Sequence, residues 1–279
     1  MPNTAPPVVT RFAPGPTGDL HLGHAYSALF AASKGDRFLV RIEDIDTLRV
    51  KAEFEDAIFD DLAWLGLEWE TPVRRQSEHF DEYQKALDTL QSKSLLYPCF
   101  CSRKEIRAEI DRSGGAPHGV EGPLYPGTCR NLSDNERAQR RDAGNAFALR
   151  LDAGAALQST GALAWNDAVL GTIDVTMEGM GDVVLARKES PASYHLAVTI
   201  DDHAQGVTLV TRGDDLFPST HVHRLLQALL GLNTPAYHHH RMLTGEDGKR
   251  LAKRDQSQTL RALREAGKSA AEVQAMAGF

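Results

Sequence analysis

The first apolar run of the chain is followed by a turn and then by a helical pattern. Residues 8–13, Val-Val-Thr-Arg-Phe-Ala, are rich in β-branched and aromatic side chains and predict a buried strand. Residues 14–18, Pro-Gly-Pro-Thr-Gly, cannot continue a strand, so the chain must turn there. Apolar residues then recur at helical spacing over residues 20–30, with Asp19 as the predicted N-cap. The segment therefore predicts a strand, a glycine-rich turn and a helix.

The alternation of strand and helix patterns continues beyond this segment. Residues 37–42 predict a second strand, and residues 54–67 and 81–96 carry apolar positions at a helical period. Such alternation is typical of an α/β fold with a parallel sheet. Residues 147–190 differ, because short strand patterns alternate with turns there and predict a small β-rich insertion.

The second half of the fold follows this insertion. Residues 193–202 and 207–211 predict two strands, the first of which ends in two carboxylates. Residues 220–230 predict a helix with Gly231 as its C-cap. The last 25 residues predict one or two further helices.

Composition and charge narrow the class of protein. The 279 residues suit one catalytic domain with an insertion, or two small domains, and 42% of them are hydrophobic. A net charge of −7 excludes a generic nucleic-acid binder, so RNA contact would need local basic patches. We see no leader pattern at the N-terminus and no apolar run of membrane length. The three cysteines, an odd number, form no disulfide framework. We therefore expect a cytoplasmic protein without a membrane partner.

The predicted start of the first helix is a candidate anion site. Unpaired backbone amides and the positive end of the helix dipole face it. His21 and His24 are three residues apart and share one face, from which imidazoles can donate hydrogen bonds to phosphate oxygens. A metal site, or histidines without any ligand, would show the same spacing, so the residues alone leave these alternatives open.

Three cysteines lie in or beside a stretch that is short of apolar residues. Cys99, Cys101 and Cys129 are close enough in sequence for their thiolates to hold a structural Zn²⁺. Tetrahedral zinc needs a fourth ligand, for which the sequence offers Tyr125 or His118. Histidine is the commoner zinc ligand, and three free thiols without a metal are the alternative.

Two charged stretches are placed where they could meet a ligand. The acidic residues of 43–46 follow the second predicted strand, and ligands of parallel sheets bind beyond the carboxyl ends of strands. They could hold a cation or an ammonium group, or form a solvated turn balanced by Arg41 and Arg49.

Residues 244–254 combine glycines with four cations, and lysine can follow a phosphate as it reacts. A basic loop of this kind is more often ordinary surface.

Two stretches resemble the signature motifs of the class I aminoacyl-tRNA synthetases. Residues 11–24, Arg-Phe-Ala-Pro-Gly-Pro-Thr-Gly-Asp-Leu-His-Leu-Gly-His, resemble the "HIGH" motif with the lead-in of its glutamyl-specific members. Residues 248–254, Gly-Lys-Arg-Leu-Ala-Lys-Arg, resemble the "KMSKS" motif, with Lys253 at the second lysine. The motifs follow in the family's order, and the resemblance covers nearly all of the chain.

The resemblance implies an α/β class I synthetase fold. That fold has a Rossmann-like parallel sheet, an inserted zinc-bearing module like an acceptor-end module, and here a short helical tail. The expected halves of the catalytic domain are residues 1–96 and 192–243. The expected inserted module is residues 97–191, and residues 244–279 hold the KMSKS-like loop and the tail.

The resemblance also implies roles for individual residues. The expected catalytic residues are His21, His24 and Lys253. The residues expected to bind ATP are these three together with Gly23, Met242 and Leu243. The residues expected to bind glutamate are Arg11, Ala13, Gly15, Glu43, Tyr194 and Arg212. The cysteine–tyrosine pattern resembles the zinc site of small glutamyl-synthetase paralogues, for which the expected ligands are Cys99, Cys101, Tyr125 and Cys129.

The implied reaction is attack of a glutamate carboxylate on the α-phosphorus of ATP, with Mg²⁺ bridging the phosphates. The chain ends some 25 residues after its second motif, so we expect no anticodon-binding region. Short paralogues of this kind activate glutamate without tRNA and attach it to queuosine in the anticodon loop of tRNA(Asp). The resemblance therefore implies glutamate, ATP and queuosine-bearing tRNA(Asp) as partners of a monomer.

Two departures from the motifs leave other functions open. Gly15 and Ala252 stand where the family usually has serine, so each position lacks a hydroxyl. These changes would favour a weakened, synthetase-like regulator that binds nucleotide or RNA. A small-molecule nucleotidyltransferase is a further alternative, against which the cysteine–tyrosine segment and the paired arginines argue.

Overall fold

The first part of the chain alternates strands and helices as its pattern predicts. The computed structural model describes residues 6–112, 118–119, 122–243 and 259–279, without the side chains of residues 109–123. The first elements are β1 (Val9–Phe12), α1 (Leu22–Lys34), β2 (Arg37–Ile42), α2 (Ala52–Trp64), β3 (Glu70–Arg75) and α3 (Phe80–Ser92). Helices α2 and α3 end earlier than predicted, because Gly66 and Ser94 have positive φ angles of 74° and 56° that turn the chain.

Strands β1, β2 and β3 form a parallel sheet in that order. Val9 lies opposite Arg37 and Phe12 opposite Val40. Residues of β1, β2, α1 and α2 share one apolar core. Parallel strands covered on both faces have nearly continuous apolar runs, which explains why the pattern alone predicts β1 and β2.

A middle region contains short elements of both kinds. They are β4 (Leu96–Cys99), α4 (Arg103–Arg112), β5 (His118–Gly119), β6 (Gly122–Pro123), α5 (Asp134–Asp142), β7 (Ala148–Leu151), α6 (Ala153–Thr160), β8 (Ala164–Asp167), β9 (Gly171–Asp174) and β10 (Val184–Ala186). Strand β7 pairs antiparallel with β4 and β10. The sequence pattern does not predict α6, which begins at Asp152, where the carboxylate accepts from the amide of Ala155 at 3.0 Å.

The last part of the chain returns to the sheet. Its elements are α7 (Tyr194–Ala204), β11 (Leu209–Gly213), α8 (Ser219–Leu230), β12 (Ala236–His240), α9 (Leu260–Glu265) and α10 (Ala270–Ala277). The second sheet has the order β11-β12-β8-β9, with β11, β12 and β8 parallel. Strands β8 and β9 therefore pair with this part of the fold, and the module boundary at residue 191 remains a prediction. Gly231 ends α8 in the left-handed conformation, as predicted.

The two sheets meet at β1 and β11. The amide of Thr208 donates to the carbonyl oxygen of Val9 at 3.0 Å, and the amide of Val9 donates to Oγ1 of Thr208 at 2.8 Å. Strands β1 and β11 consequently lie side by side.

Residues 194–202 lie in helix α7, so the prediction of a strand over residues 193–202 is wrong. Helix α7 is buried at every position from 195 to 202. A helix covered on all sides has no single apolar stripe, and periodicity cannot distinguish a short apolar run of this kind from a strand. Asp201 and Asp202 consequently lie on the last turns of a buried helix.

The C-terminal helices pack on the first part of the chain. Leu260 and Val273 belong to the same apolar core as α1 and α2. The side-chain amide of Gln274 donates to the carbonyl oxygen of Leu65 at 2.8 Å. The prediction of one or two helices in this segment is confirmed. No helix among the described residues has both the length and the apolar character needed to span a membrane.

Candidate active site

A cavity of about 500 Å³ lies at the carboxyl ends of β1, β2 and β11. Its lining includes ten residues predicted for the substrate site: Arg11, Ala13, His21, Gly23, His24, Glu43, Tyr194, Arg212, Met242 and Leu243. Gly15 is not part of the lining. Lys253, with the whole of residues 244–258, lies outside the described residues. A ligand cavity at this edge is expected in an open parallel sheet.

The start of α1 forms one wall of the cavity. His21 is the N-cap, so the prediction of Asp19 as N-cap is wrong. Nδ1 of His21 accepts from the amide of Gly23 at 3.1 Å, and Nδ1 of His24 accepts from the amide of His21 at 3.2 Å. Asp19 is paired instead with Arg261 at 3.0 Å. Each neutral imidazole with an accepting Nδ1 carries its proton on Nε2, which is a donor suited to a phosphate oxygen.

The two histidine rings also support each other. Their centroids are 3.8 Å apart and their planes differ by 25°, so the rings are stacked. The expectation that His21 and His24 share one face is therefore confirmed. Both rings lie beside the backbone amides at the positive end of the α1 dipole.

A buried carboxylate fixes the arginine of β1. Arg11 Nε lies 2.9 Å from Asp202 Oδ1, and Arg11 Nη1 donates to the carbonyl oxygen of Thr211 at 3.1 Å. The same Asp202 oxygen is 2.9 Å from Nη1 of Arg41, which is fully buried. Buried charges are tolerated when each is paired and hydrogen-bonded. Arg11 is thus held in one orientation at the cavity wall.

Glu43 is a half-buried acidic residue of the cavity wall. Its side chain is 16% exposed and lies 3.5 Å from Nη2 of Arg41. Burial raises the pKa of Glu43 to about 7, although the positive charges of Arg41 and Arg11 oppose this. The solvated-turn alternative is correct for Asp46, which pairs with Arg49 at the surface, but it does not describe Glu43.

Asp201, the neighbour of Asp202 on helix α7, is also a buried carboxylate that pairs with an arginine. It accepts from Arg74 Nε at 2.8 Å, from the side-chain amide of Gln76 at 2.7 Å and from the hydroxyl of Tyr83 at 2.9 Å. With Asp202, it therefore pairs one arginine from each of the strands β1, β2 and β3. This arginine–aspartate cluster consists of Arg11, Arg41, Arg74, Asp201 and Asp202.

Arg212, at the end of β11, is held by neutral groups. Nη1 donates to Nδ1 of His223 at 3.1 Å and to the hydroxyl of Tyr194 at 3.4 Å. Nε donates to Nε2 of His239 at 3.3 Å, and Nη2 donates to Oγ1 of Thr220. Asp214 and Asp215 follow Arg212 in sequence, but neither carboxylate forms an ion pair with it.

Several residues that line the cavity were not predicted from the sequence. They are Phe12, Tyr26, Ser27, Thr211, Gly213, Asp215, Leu216 and His240. Ser27 could have been found, because it follows Gly23 by four positions on the same helix face. Its Oγ is 3.3 Å from Nε2 of His240. His240 reaches the site from β12, far along the chain, so no local spacing predicts it.

Gly15 has close backbone neighbours. A Cβ added there would lie 3.2 Å from the carbonyl oxygen of Glu43, so a side chain would require the backbone to shift by a few tenths of an ångström. The turn around Gly15 is tied to Glu43, whose amide donates to the carbonyl oxygen of Pro14 at 2.9 Å.

The three cysteines come together at the end of β4. Their sulfur atoms lie within 4.8 Å of one another, and Sγ of Cys101 is 3.4 Å from that of Cys129. The hydroxyl of Tyr125 is 3.7 Å from Sγ of Cys101 and accepts from the amide of Cys129. Tetrahedral zinc with bonds of about 2.3 Å needs sulfur atoms roughly 3.8 Å apart, so these residues fit the ion. The side chain of the alternative ligand, His118, lies outside the described residues.

Comparisons with known proteins agree with this geometry. A family model for the catalytic domain of class I tRNA synthetases (E and Q) matches residues 7–274. The Glutamyl-Q tRNA(Asp) synthetase of Rhodobacter capsulatus is 47% identical over 98% of this chain and 100% of its own length. The glutamate–tRNA ligase of Aquifex aeolicus is 36% identical over 93% of this chain and 54% of its own length.

A solved structure supports the same conclusion. The glutamate–tRNA synthetase of Elizabethkingia anophelis superposes with a TM-score of 0.74 at 30% identity, over 89% of this chain. This chain spans about half of that protein, 53% of its length. The chain therefore belongs to the class I aminoacyl-tRNA synthetases, a family of ligases, in the branch related to glutamate.

Proposed function

We propose that this protein activates glutamate with ATP, forming glutamyl-adenylate and diphosphate without tRNA, and then transfers the glutamyl group to queuosine in tRNA(Asp) with release of AMP. The observation that carries the first step is the composition of the cavity. It brings the histidines at the start of α1 together with Arg11, Arg212 and Glu43. Such a cavity offers donors for phosphate on one wall and complementary charges for a dicarboxylic amino acid on another.

In the first step, a carboxylate oxygen of glutamate attacks the α-phosphorus of ATP. The bond from that phosphorus to the bridging oxygen of diphosphate breaks, and diphosphate leaves. Positioning and stabilisation of negative charge carry such a reaction. His21 and His24 donate to phosphate oxygens, and Lys253 is proposed to contribute a further positive charge. Met242 and Leu243 border the adenine, and Mg²⁺ bound with ATP would offset the negative charge of the phosphates.

The amino acid is proposed to bind through three charged groups. Glu43 accepts hydrogen bonds from the α-ammonium group. Arg11 binds the side-chain carboxylate and Arg212 the other carboxylate, while Tyr194 and the backbone around Ala13 and Gly15 complete the pocket. Glutamine would offer Arg11 a neutral amide in place of a carboxylate and lose a charge-assisted contact, so the site favours glutamate.

The cysteine cluster is proposed to hold a structural zinc ion. Cys99, Cys101, Cys129 and Tyr125 would be its ligands, and the ion would supply a cross-link to a segment with few apolar residues. The support is the proximity of the three sulfur atoms and the tyrosine hydroxyl.

Glutamate-dependent exchange of labelled diphosphate into ATP tests the first step. We expect exchange with glutamate in the absence of tRNA, and little exchange with glutamine or aspartate. Absence of exchange in a folded protein that still binds ATP would instead favour the regulator. Exchange supported by a small molecule other than an amino acid would favour the nucleotidyltransferase.

The acceptor is tested separately with labelled glutamate. We expect transfer to tRNA(Asp) from cells that make queuosine and none to tRNA(Asp) from cells that lack it. The name of the Rhodobacter capsulatus relative, which includes tRNA(Asp), supports this choice of acceptor. Equal labelling of both tRNA samples would contradict it, as would labelling of tRNA(Glu).

A further inference from the structure

Residues 238–240 are three consecutive histidines, and the middle one, His239, is buried beside Arg212. Its side chain is 3% exposed, and its Nδ1 lies 2.8 Å from Oδ2 of Asp167, whose side chain is 1% exposed. The ring of Trp165 packs edge-on against it, with centroids 5.6 Å apart. A buried imidazole with a carboxylate on one side and a guanidinium on the other can accept from the guanidinium while the carboxylate holds it in place.

The hydrogen bonds of His239 define its tautomer. Arg212 has only donors, and its Nε is 3.3 Å from Nε2 of His239, so this nitrogen must accept. Oγ1 of Thr220 is 3.1 Å from the same nitrogen and accepts from Arg212, so its proton is available for His239. The imidazole proton therefore lies on Nδ1 and is donated to Asp167. Burial and the charge of Arg212 lower the pKa of His239 to about 4, which keeps the ring neutral.

A second neutral histidine lies on the other side of Arg212. Nδ1 of His223 accepts from Arg212 Nη1 at 3.1 Å, and its Nε2 is 3.2 Å from Nδ1 of His195. Burial lowers the pKa of His223 well below its ordinary value, and the charge of Arg212 adds to this. Arg212 is thus oriented by uncharged acceptors on two sides.

Among the described residues, this arrangement gives the positively charged Arg212 no counter-ion. The residue is 5% exposed, and in the part of the chain that the structure describes no carboxylate pairs with it. Arg11 differs, because Asp202 already neutralises it. A buried charge without a partner is costly, and Arg212 lines the cavity, so a carboxylate of a bound ligand would supply the missing charge.

We propose that Asp167 and His239 are positioning residues for recognition of a substrate carboxylate, acting through Arg212. Asp167 holds His239 in the form whose Nε2 accepts, and His239 orients Arg212 without neutralising it. A carboxylate at position 239 would orient the guanidinium equally well but would compete with the ligand. The inference rests on the proposed function, in which glutamate occupies this cavity.

The variant Asp167→Asn tests the tautomer directly. The Asn oxygen can still accept from the amides of Val169 and Leu170, which lie 2.9 and 3.0 Å from Oδ1 of Asp167. Its NH₂ group then faces Nδ1 of His239 and moves the imidazole proton to Nε2, against Arg212. We expect the KM for glutamate in diphosphate exchange to rise about tenfold or more, and the KM for ATP to change less than about twofold.

Substitutions at the histidines separate positioning from stability. His239→Gln keeps an acceptor near the position of Nε2, so we expect a smaller rise in the KM for glutamate than with His239→Phe. His238→Gln is the matched control, because His238 lies on the opposite face of β12 and packs on Phe30 with ring centroids 4.8 Å apart. Wild-type KM values are expected for this control.

Nitrogen NMR of labelled histidine gives a readout that does not depend on activity. We expect the Nδ1–H form of His239 in the wild type and the Nε2–H form in Asp167→Asn. An Nε2–H form in the wild type overturns the inference. So does an unchanged KM for glutamate in His239→Phe, or an equal rise for glutamate and ATP. Absence of glutamate-dependent exchange in the wild type contradicts the proposed function instead, whereas the NMR result still decides whether the tautomer is as inferred.

Discussion

The backbone of Thr259 pairs with that of His21 in an isolated antiparallel bridge. Next to this bridge, the amide of Leu260 donates to the carbonyl oxygen of Leu20 at 2.8 Å. Residue 259 is the first described residue after the KMSKS-like stretch, and Leu243, the last one before it, lines the cavity. The two described residues that flank this stretch are therefore both at the proposed ATP site: Leu243 lines the cavity, and Thr259 lies beside His21.

We expect this attachment to affect the first reaction step. Leu260→Pro removes the amide that bonds to Leu20, while proline at the first position of α9 is compatible with the helix. If Lys253 acts on the phosphates, exchange in the folded variant should slow by roughly tenfold, because the attachment of the segment is weakened. Diphosphate exchange below the unfolding temperature measures this.

Thr259→Ala is the matched control for that variant. Oγ1 of Thr259 caps α9 by accepting from the amide of Ala262 at 3.1 Å. Its loss should cost about 1 kcal/mol of stability but leave the backbone bridge in place. Exchange that is equally slow in both variants would show that stability, and not the attachment to His21, governs the rate.

Glutamate binding should depend on pH through Glu43. Burial raises its pKa to about 7, so the carboxyl group gains a proton as the pH falls through that value and loses the charge that attracts an ammonium group. We expect affinity to weaken as the pH falls from about 8 to about 6, approaching tenfold per pH unit below the pKa. Calorimetric titration with glutamate measures this. Glu43→Gln should bind weakly at every pH, and a variant with the wild-type pH dependence would contradict the assignment.

Arg11 should be required for glutamate and not for ATP. Arg11→Ala removes a charge-assisted contact to the side-chain carboxylate, which we expect to raise the KM for glutamate by about 100-fold. Asp202 keeps Arg41 as a partner, so the buried carboxylate is not left unpaired. Calorimetry should show unchanged ATP binding. Arg37→Ala, which breaks only an exposed pair with Glu70, is the control and should retain normal exchange.

The cysteine cluster should bind one zinc ion per chain. We expect Cys129→Ser to lose the metal and to unfold at a lower temperature, because the site cross-links a segment with few apolar residues. Metal analysis and thermal unfolding with and without a chelator measure both effects. Tyr125→Phe should bind zinc more weakly. Zinc affinity equal to that of the wild type in this variant would refute Tyr125 as the fourth ligand and favour His118.

Local pattern was sufficient for much of the fold. Strands β1 and β2 are apolar runs ended by turn residues, and α8 has both a clear period and Gly231 at its end, so their positions could be read from the sequence. Helix α7 could not, since burial on all sides removes the periodic signal. The N-cap also escaped prediction, because His21 takes that position although histidine is not among the residues that N-caps prefer, whereas Asp19 is.

The candidate site was predictable where motifs carry it and not where distant residues complete it. The motif around His21 and His24 identified one wall of the cavity. The partners of Arg11 and Arg212 come from positions far along the chain: Asp202 for the first, and His223 and His239 for the second. Hydrogen bonds across such separations leave no periodic trace, so only the folded structure reveals them.

The arginine–aspartate cluster has a consequence for how the strands align. A strand that slipped by two residues would keep its apolar face toward the core, and the apolar pattern by itself would tolerate the error. Each of β1, β2 and β3, however, must deliver one arginine to the same helical turn. A slipped strand would place a guanidinium among apolar groups without a carboxylate partner. It would also leave Asp201 or Asp202 without its positively charged partner. The cluster thus penalises misaligned sheets that hydrophobic packing would accept.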